Sequence, residues 1–279
     1  MIDVLLATYR PNEEWLKEQI DSIRAQKDVE VNLICREDVE GRGACQNFAV
    51  LLEESRAEYV AFSDQDDVWL EDKLSRALLK MHELEARYGK DVPLLVFADT
   101  RVVDANLRMI AASGFSYTKI DPRRILPRQL ALQNVANGST MLFNAALRDL
   151  AQPIPVGAFM HDAWCLLVAA VFGHIACVRE AALLYRQHKD NVLGSKKVDG
   201  RYFLHRALQG RTVLRARLYA NIRQVEAFVE KFGEASSPAC FRALIGLDKK
   251  PYLVRVFTLL RNRIFKNGFL RNVGTLLIV

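Results

Sequence analysis

Strand-like segments alternate with amphipathic segments over the first hundred residues of the chain. The segments at 4–7, 29–34, 59–62 and 94–98 have the length and apolar character of buried strands. Between the first two, Leu16, Ile20 and Ile23 recur at helical spacing, and 44–55 and 70–87 are also predicted helices. Strand, helix and parallel strand form the βαβ unit, so the pattern predicts an open α/β sheet.

The remaining elements are shorter, and they change character near residue 200. From there the pattern is helical only, so we predict an α/β domain at 1–200 and a helical C-terminal extension at 201–279. The further predictions are a hairpin at 101–106, an irregular loop at 114–124, a helix at 127–132, a strand at 141–143, helices at 145–150 and 161–172, strands at 175–178 and 182–185, and extension helices near 201–232, 238–246 and 250–267.

Charge divides the chain at the same place. The net charge is +6, with 51% hydrophobic and 26% charged residues, as in globular proteins. Residues 201–279 hold 15 Lys and Arg against 4 Asp and Glu, whereas residues 1–200 hold 24 against 29. An acidic body with a basic extension indicates an anionic partner for the extension.

The cysteines and the apolar runs bear on location. The five cysteines are scattered without metal-binding spacing, which favours reduced thiols. No signal-peptide pattern precedes the first strand, and the longest apolar run, 163–172, is too short to span a bilayer. We therefore expect a cytoplasmic protein, with attachment to the inner face of the membrane left open.

Three carboxylates directly follow the third predicted strand. Asp64 and Asp66 are two residues apart, so in extended backbone they point to the same side. Paired carboxylates with a cation between them suit Mg²⁺ or Mn²⁺, which bind substrate phosphates. The alternative is a polar turn in which Asp67 caps a helix that begins near Leu70.

Other polar residues follow strands or open helices. Glu37 and Asp38 are acceptors for a base or ribose, or part of a solvated turn. Asp162 opens an apolar helix, either as its N-cap or as a partly desolvated general base. The remaining candidates are Asn137 and Gly138, as donors to a sugar or as a turn, and Arg186, Gln187 and His188, as diphosphate contacts or, for His188, a metal ligand.

The order of the polar motifs resembles a known family. The motifs are Leu6-Ala7-Thr8-Tyr9, Ser63-Asp64-Gln65-Asp66-Asp67-Val68-Trp69, Asn137-Gly138-Ser139-Thr140, His161-Asp162-Ala163-Trp164 and Tyr185-Arg186-Gln187-His188. Their order is similar to that in family 2 glycosyltransferases, especially the bacterial rhamnosyltransferase-like branch that builds cell-surface polysaccharides. The resemblance covers about residues 2–194. It implies a GT-A fold, a nucleotide-diphosphate sugar donor, Mn²⁺ or Mg²⁺, a saccharide or lipid-linked saccharide acceptor, and inversion at the anomeric carbon.

The resemblance also implies roles for individual residues. Asp64 and Asp66 match the motif that holds the ribose and the metal-diphosphate, and Asp162 matches the catalytic base. Thr8 and Tyr9 match the loop that lines the nucleoside pocket, and His188 matches a position near the diphosphate.

One segment departs from the family pattern. After the second strand, 36–40 runs almost directly into 41–48, so about one helix and one strand of the family are missing. A nucleotide pocket altered on this side leaves a second interpretation open, in which the chain is a catalytically degenerate GT-A relative that acts as a membrane-associated scaffold.

The C-terminal extension lies outside the resemblance. Its basic residues, including Arg261 and Lys266, alternate with apolar ones such as Phe257 and Leu260. A basic amphipathic helix favours binding to an anionic membrane surface, and the alternative is a helix packed on the domain with solvated arginines. Nucleic acid is not expected as a partner, because no recognition module or stacking platform is present.

Overall fold

An eight-stranded mixed sheet forms the centre of this computed structural model, which describes residues 1–188, 197–199, 202 and 210–279. The strand order is β2-β1-β3-β7-β5-β8-β4, with β6 paired to β5. Strands β1, β2, β3, β5 and β8 run in one direction, and β4, β6 and β7 in the other. The strands are β1 (Ile2–Thr8), β2 (Val31–Glu37), β3 (Tyr59–Ser63), β4 (Val68–Trp69), β5 (Leu94–Val103), β6 (Met109–Ala111), β7 (Leu142–Asn144) and β8 (His174–Arg186).

Helices cover the sheet and form the C-terminal part of the chain, which confirms the predicted α/β class with a helical extension. They are α1 (Glu13–Arg24), α2 (Ala44–Glu54), α3 (Lys73–Tyr88), α4 (Gly114–Thr118), α5 (Pro127–Leu130), α6 (Ala145–Ala151), α7 (His161–Phe172), α8 (Arg211–Phe232), α9 (Ala239–Arg242), α10 (Tyr252–Arg261) and α11 (Phe269–Ile278). Short 3₁₀ helices lie at Gly138–Thr140 and Leu247–Lys249. None of the described helices has the length and apolar character to cross a membrane.

The shared direction of five strands gathers the polar loops at one edge of the sheet. Thr8 at the end of β1 lies beside Glu37 at the end of β2, and Leu6 pairs with Ser63 at the end of β3. At the far end of the same edge, Val103 of β5 pairs with Arg186 of β8. This is the edge at which open α/β sheets bind ligands.

Several predicted elements differ from the observed ones. The strands predicted at 175–178 and 182–185 are one strand, β8, whose ladder with β5 shifts register twice, between the pairs Ala98–Val178 and Asp99–Ala181 and again between Asp99–Ala181 and Arg101–Leu184. These two irregularities interrupt the inward and outward alternation, which disguised the continuity.

The other differences concern helix ends. Helix α3 begins at Lys73, and the loop predicted at 114–124 contains α4. The helix predicted at 250–267 ends at Arg261, and α11 follows it. The helix predicted at 201–232 is described only from Arg211, and its first part lies outside the described residues.

The extension shares a core with the sheet. Leu218, Ile222 and Phe228 of α8 belong to the same buried cluster as Phe62 of β3 and Trp164 of α7. Aromatic stacking strengthens this contact, with the rings of Phe172 and Phe228 5.7 Å apart and those of Trp164 and Phe232 6.1 Å apart. The division at residue 200 stays a prediction about folding units, and the packing is continuous across it.

Candidate active site

Asp66 and His188 meet at the polar edge of the sheet. The Oδ2 of Asp66 lies 2.6 Å from the Nε2 of His188, and both side chains are mostly buried. The ring of Trp15, from α1, lies 4.9 Å from the imidazole of His188 and supports it from the side. The fold thus joins two predicted metal ligands that are 122 residues apart in the chain.

Arg186, at the end of β8, holds in place the acidic loop, which is residues 64–67 after β3. Its Nε donates to the carbonyl of Asp66 at 2.8 Å, and its Nη1 donates to the carbonyl of Ala105 at 2.6 Å. Its Nη2 makes a charge-assisted hydrogen bond to Glu18, and its guanidinium lies 5.0 Å from the ring of Trp15. The side chain is almost fully buried. Arg186 therefore positions the loop, and a direct contact with a diphosphate stays a prediction.

Asp67 is a buried part of the same loop. The interpretation of Asp67 as a helix cap is wrong, because α3 begins at Lys73 and the N-cap is Asp72. Instead, Asp67 Oδ1 accepts the backbone N–H of Arg186 at 3.1 Å. Burial, and then the charges of Asp66 and Asp64, raise the pKa of Asp67 well above its usual value. Asp67 is thus a buried hydrogen-bond acceptor that joins the acidic loop to β8.

Asp64 belongs to the same loop and lies within electrostatic reach of Asp66 and Asp162. Burial is the main cause that raises its pKa to about 7, and the charges of Asp66 and Asp162 raise it further. The influence of Asp162 shows that the two predicted halves of the site, 98 positions apart, lie within electrostatic reach. A cation near Asp64 and Asp66 would relieve this repulsion.

Asp162 lies in the first turn of α7. The interpretation of Asp162 as the N-cap is wrong, since the N-cap residue is Met160. Its Oδ2 accepts the Nδ2 of Asn134 at 3.0 Å, and its Oδ1 accepts the N–H of Ala163 at 2.6 Å. Burial raises its pKa to about 6, although these hydrogen bonds favour the charged form. A carboxylate with this pKa is suited to accept a proton near neutral pH.

Gly138 and His161 set the position of Asp162. A Cβ on Gly138 would lie 3.1 Å from the Cβ of Asp162 and 3.2 Å from the Nε2 of His161, so any side chain there would push α7 away by a few tenths of an ångström. His161 is buried, and its ring stacks on that of Phe48 at 3.8 Å. Burial lowers the pKa of His161 to about 3, so the ring is neutral packing beneath Asp162.

Asn137 hydrogen-bonds with residues of the 3₁₀ helix and of β8. It precedes the 3₁₀ helix, and its side chain accepts the hydroxyl of Ser139 at 3.3 Å. It also hydrogen-bonds with Tyr185, whose pKa burial and then the charges of Asp67, Asp64 and Asp66 raise well above the usual value. The Tyr185 hydroxyl is therefore protonated next to the carboxylates.

Thr8 and Tyr9 lie beside the acidic loop. The Nε2 and Oε1 of Gln65 pair with the carbonyl and N–H of Tyr9 at 3.2 and 2.7 Å. Thr8 is buried, and its hydroxyl donates to the carbonyl of Arg36 at 3.4 Å, whereas the Tyr9 ring is half exposed. The predicted nucleoside loop is thereby joined to the predicted diphosphate loop.

Glu37 and Asp38 lie at the outer side of this region. Glu37 is exposed at the end of β2, which is one of the edge strands of the described sheet. The Asp38 carboxylate accepts the N–H groups of Arg42 and Gly43 at 3.0 and 2.7 Å. Burial acts to raise the pKa of Asp38, but these backbone donors outweigh it and lower the pKa below its usual value. Asp38 thus closes its own loop, and a contact with a base stays a prediction for both residues.

The described residues supply part of a metal site. Among the described residues, no three His, Cys, Asp or Glu side chains converge as a metal site. The paired Asp66 and His188, with Asp64 nearby, nevertheless offer oxygen and imidazole ligands that Mn²⁺ accepts. Mn²⁺ or Mg²⁺ would take its remaining ligands from water and from substrate phosphates.

Three supporting residues were not singled out from the sequence. Asn134 orients Asp162, Gln65 joins two loops, and Trp15 contacts His188. Gln65 lies within a motif and Asn134 close to one, so their positions in the sequence could have indicated a role in the site. No such indication exists in the sequence for Trp15, because an aromatic residue on an amphipathic helix ordinarily indicates core packing.

Comparison with known proteins identifies the fold. No family model matches the chain. TarS of S. aureus, residues 1–349 with UDP-GlcNAc, aligns over 99% of this chain and 90% of that one, with a TM-score of 0.53 and 14% identity. The same protein with UDP aligns over 99% and 89%, with a TM-score of 0.50 and 13% identity. The chain has the GT-A glycosyltransferase fold.

The sequence comparison gives a narrower likeness. The chain is 30% identical to the dTDP-rhamnosyl transferase RfbG of Shigella flexneri over 103 aligned residues, which cover 26% of this chain and 35% of that protein. The match thus spans about a third of the curated relative's length. The resemblance to GT-A glycosyltransferases, with a rhamnosyltransferase as a relative, is confirmed.

Proposed function

We propose that the protein is an inverting glycosyltransferase that moves a sugar from a nucleotide diphosphate to a saccharide or lipid-linked saccharide. The observation that carries the proposal is the pair Asp64 and Asp162, which lie within electrostatic reach and have pKa values of about 7 and about 6. Two carboxylates in such different environments suit two roles, with cation binding at Asp64 and proton acceptance at Asp162. The proposed location is the cytoplasm.

Asp162 is the proposed general base. The acceptor hydroxyl gives its proton to the Asp162 carboxylate as its oxygen forms a bond to the anomeric carbon. The bond from that carbon to the donor diphosphate breaks, and the electron pair leaves with the diphosphate. A single displacement inverts the anomeric centre. Asn134 and the Ala163 N–H hold the two carboxylate oxygens in place for this transfer.

Asp64, Asp66 and His188 are the proposed ligands of Mn²⁺ or Mg²⁺. The bound cation would supply charge that stabilises the departing diphosphate. His188 and Asp66 contact each other directly, so a cation bound between them would replace their hydrogen bond with coordination. Arg186 keeps the loop carbonyl of Asp66 fixed meanwhile.

The donor is proposed to lie along the ends of β1, β2 and β3. Thr8, Tyr9, Glu37 and Asp38 would face the nucleoside, and Asn137 and Gly138 the sugar, with Gln187 beside them. TarS is solved with UDP-GlcNAc and the curated relative is a dTDP-rhamnosyl transferase, which supports a nucleotide-sugar donor and makes dTDP-rhamnose the first to test.

Donor binding and transfer test the proposal separately. We expect Mn²⁺-dependent binding of a nucleoside diphosphate by the wild type, its loss in Asp66→Ala, and retained binding without transfer in Asp162→Asn. Asp91→Asn, at an exposed position outside the site, is the matched control. The assay measures calorimetric binding, then release of nucleoside diphosphate from a donor panel. Neither binding nor transfer with any donor would contradict the proposal.

One observation favours a second candidate, a degenerate relative that serves as a membrane-associated scaffold. Strand β2 is the edge of the described sheet, and Asp38 is occupied by its own loop. On the nucleoside side, no described strand lies beyond β2 to extend the wall of a pocket. Wild-type protein that neither binds nor turns over any donor but still binds membranes would favour this candidate over the enzyme.

A further inference from the structure

Helix α11 is turned with its apolar side outward. Phe269 is 79% exposed, and Leu270, Val273 and Leu277 are exposed as well. Its polar positions Arg271, Asn272 and Thr275 are at least partly buried against the protein. A surface helix of a globular protein ordinarily has the opposite orientation.

Hydrogen bonds fix this orientation. Arg271 Nη2 donates to the carbonyl of Thr118 at 2.6 Å, and its Nη1 to the carbonyl of Lys119 at 3.1 Å. Asn272 Oδ1 accepts the N–H of Lys266 at 2.7 Å, and its Nδ2 donates to the Lys266 carbonyl at 3.0 Å. Rotating the helix to bury Phe269 would break these bonds, so the exposure is built into the fold.

Helix α10 has exposed apolar residues of the same kind. Leu253 and Phe257 are 77% and 59% exposed, and Leu260 continues their side of the helix, while Leu259 is buried beneath. The hydroxyl of Tyr252 at the start of α10 donates to the carbonyl of Leu276 near the end of α11 at 2.9 Å, so the two helices form a hairpin. We call the exposed side chains the outer apolar face: Leu253, Phe257, Leu260, Phe269, Leu270, Val273 and Leu277.

Positive charge borders this face. Arg261 and Arg263 are exposed at the turn of the hairpin. A cleft of about 1190 Å³ adjoins the other end of the hairpin, with Tyr252 and Ile278 in its wall. Its basic lining residues are Arg211, Arg215, Arg223, Lys249 and Arg255, against Glu226 and Asp248. Apolar side chains beside basic ones match a lipid surface with anionic headgroups.

The length of the helices decides how they would meet a bilayer. Each has 10 residues, or about 15 Å at 1.5 Å per residue, which is about half the hydrocarbon thickness. Helices of this length would lie along the interface of a bilayer rather than cross it. We propose that the outer apolar face docks flat on an anionic membrane, with lipid phosphates in the arginine-lined cleft. This surface shares no residue with the site of Asp64 and Asp162 and does not depend on sugar transfer.

Vesicle flotation of the full chain tests the apolar part of the proposal. We expect the wild type to float with vesicles of phosphatidylcholine and phosphatidylglycerol. The pair Phe257→Ser and Phe269→Ser should lower the partition coefficient at least about tenfold, since both rings leave water on docking. Leu79→Ser, at a position 66% exposed on α3, is the matched control and should float as the wild type does. Thermal unfolding checks that each variant folds.

The charged part has its own variants. Arg261→Gln with Arg263→Gln should lower the partition coefficient about 30-fold at low salt, because each basic residue near an anionic surface contributes to binding. Arg24→Gln, exposed on α1, should leave it unchanged. Equal flotation of the variants and the wild type would overturn the proposal, as would equal binding to phosphatidylcholine alone. So would a dimer in sedimentation without lipid that the two Phe→Ser changes dissociate, because a second copy would then cover the face.

Discussion

Asp162 makes the pH dependence of the reaction a test of its role. Its pKa of about 6 means that the carboxylate is available above pH 6 and is lost as pH falls through that value. We expect kcat/KM to fall about tenfold per pH unit below that point, because this parameter reports the groups of the free enzyme. Asn134→Leu removes a hydrogen bond to the charged form, so the pKa and the acidic limb should move upward. Initial rates at substrate concentrations below KM between pH 5 and 8 measure both, and an unmoved limb would assign the titration to another group.

Gly138 tests how closely the 3₁₀ helix must approach the base. In Gly138→Ala the new methyl group would lie 3.1 Å from the Cβ of Asp162, so α7 must shift by a few tenths of an ångström. Misplacement of a catalytic group is costly, and we expect kcat to drop about tenfold with a small change in unfolding free energy.

Gly274→Ala is the control for that substitution. The Cβ would meet no atom within 4 Å, and alanine favours the helix by up to about 1 kcal/mol. Its kcat should equal that of the wild type. Equal kcat values for the two variants would show that Asp162 tolerates the shift.

At the scale of elements, Arg186 ties β8 to the acidic loop and α1. In Arg186→Lys the charge remains, but the planar fork that reaches the carbonyls of Asp66 and Ala105 and the carboxylate of Glu18 is lost. Buried carbonyls without donors should cost about 2–4 kcal/mol in unfolding free energy. Urea denaturation measures this, with exposed Arg101→Lys on β5 as the control. If Arg186→Lys lowered the unfolding free energy no more than Arg101→Lys does, water would have replaced the guanidinium as the hydrogen-bond donor.

The elements also show what the sequence could predict. Periodicity located β1, α1, α2, β3 and α7 within a few residues, because each has an uninterrupted apolar pattern. It failed at β8, where two register shifts interrupt the alternation, and at α11, whose apolar side faces outward. The motifs predicted Asp64, Asp66, Asp162 and His188. The burial of Asp67 and the inward role of Arg186 depend on β8 passing behind the loop, which no local pattern records.

At the scale of the whole molecule, the continuous core tests the division at residue 200. A chain ending before α8 loses Leu218, Ile222, Val225 and Phe228 from the cluster that includes Trp164. Each buried side chain contributes on the order of 2 kcal/mol, and their sum rivals the net stability of a domain. We expect the truncated chain to lack a cooperative thermal transition and to bind a hydrophobic dye. A sharp transition would instead establish residues 1–200 as an independent folding unit.

The bridge from Gln65 to Tyr9 has a consequence for how a donor would be sensed. Its amide contacts both backbone groups of Tyr9, and it stands between Asp64 and Asp66 in the acidic loop. If a donor binds as proposed, ordering the loop at one end would also order the other end, and the affinities for the two halves of the donor would be thermodynamically linked. Each half would then raise the affinity for the other by the same factor, and the intact donor would bind more tightly than its separate parts.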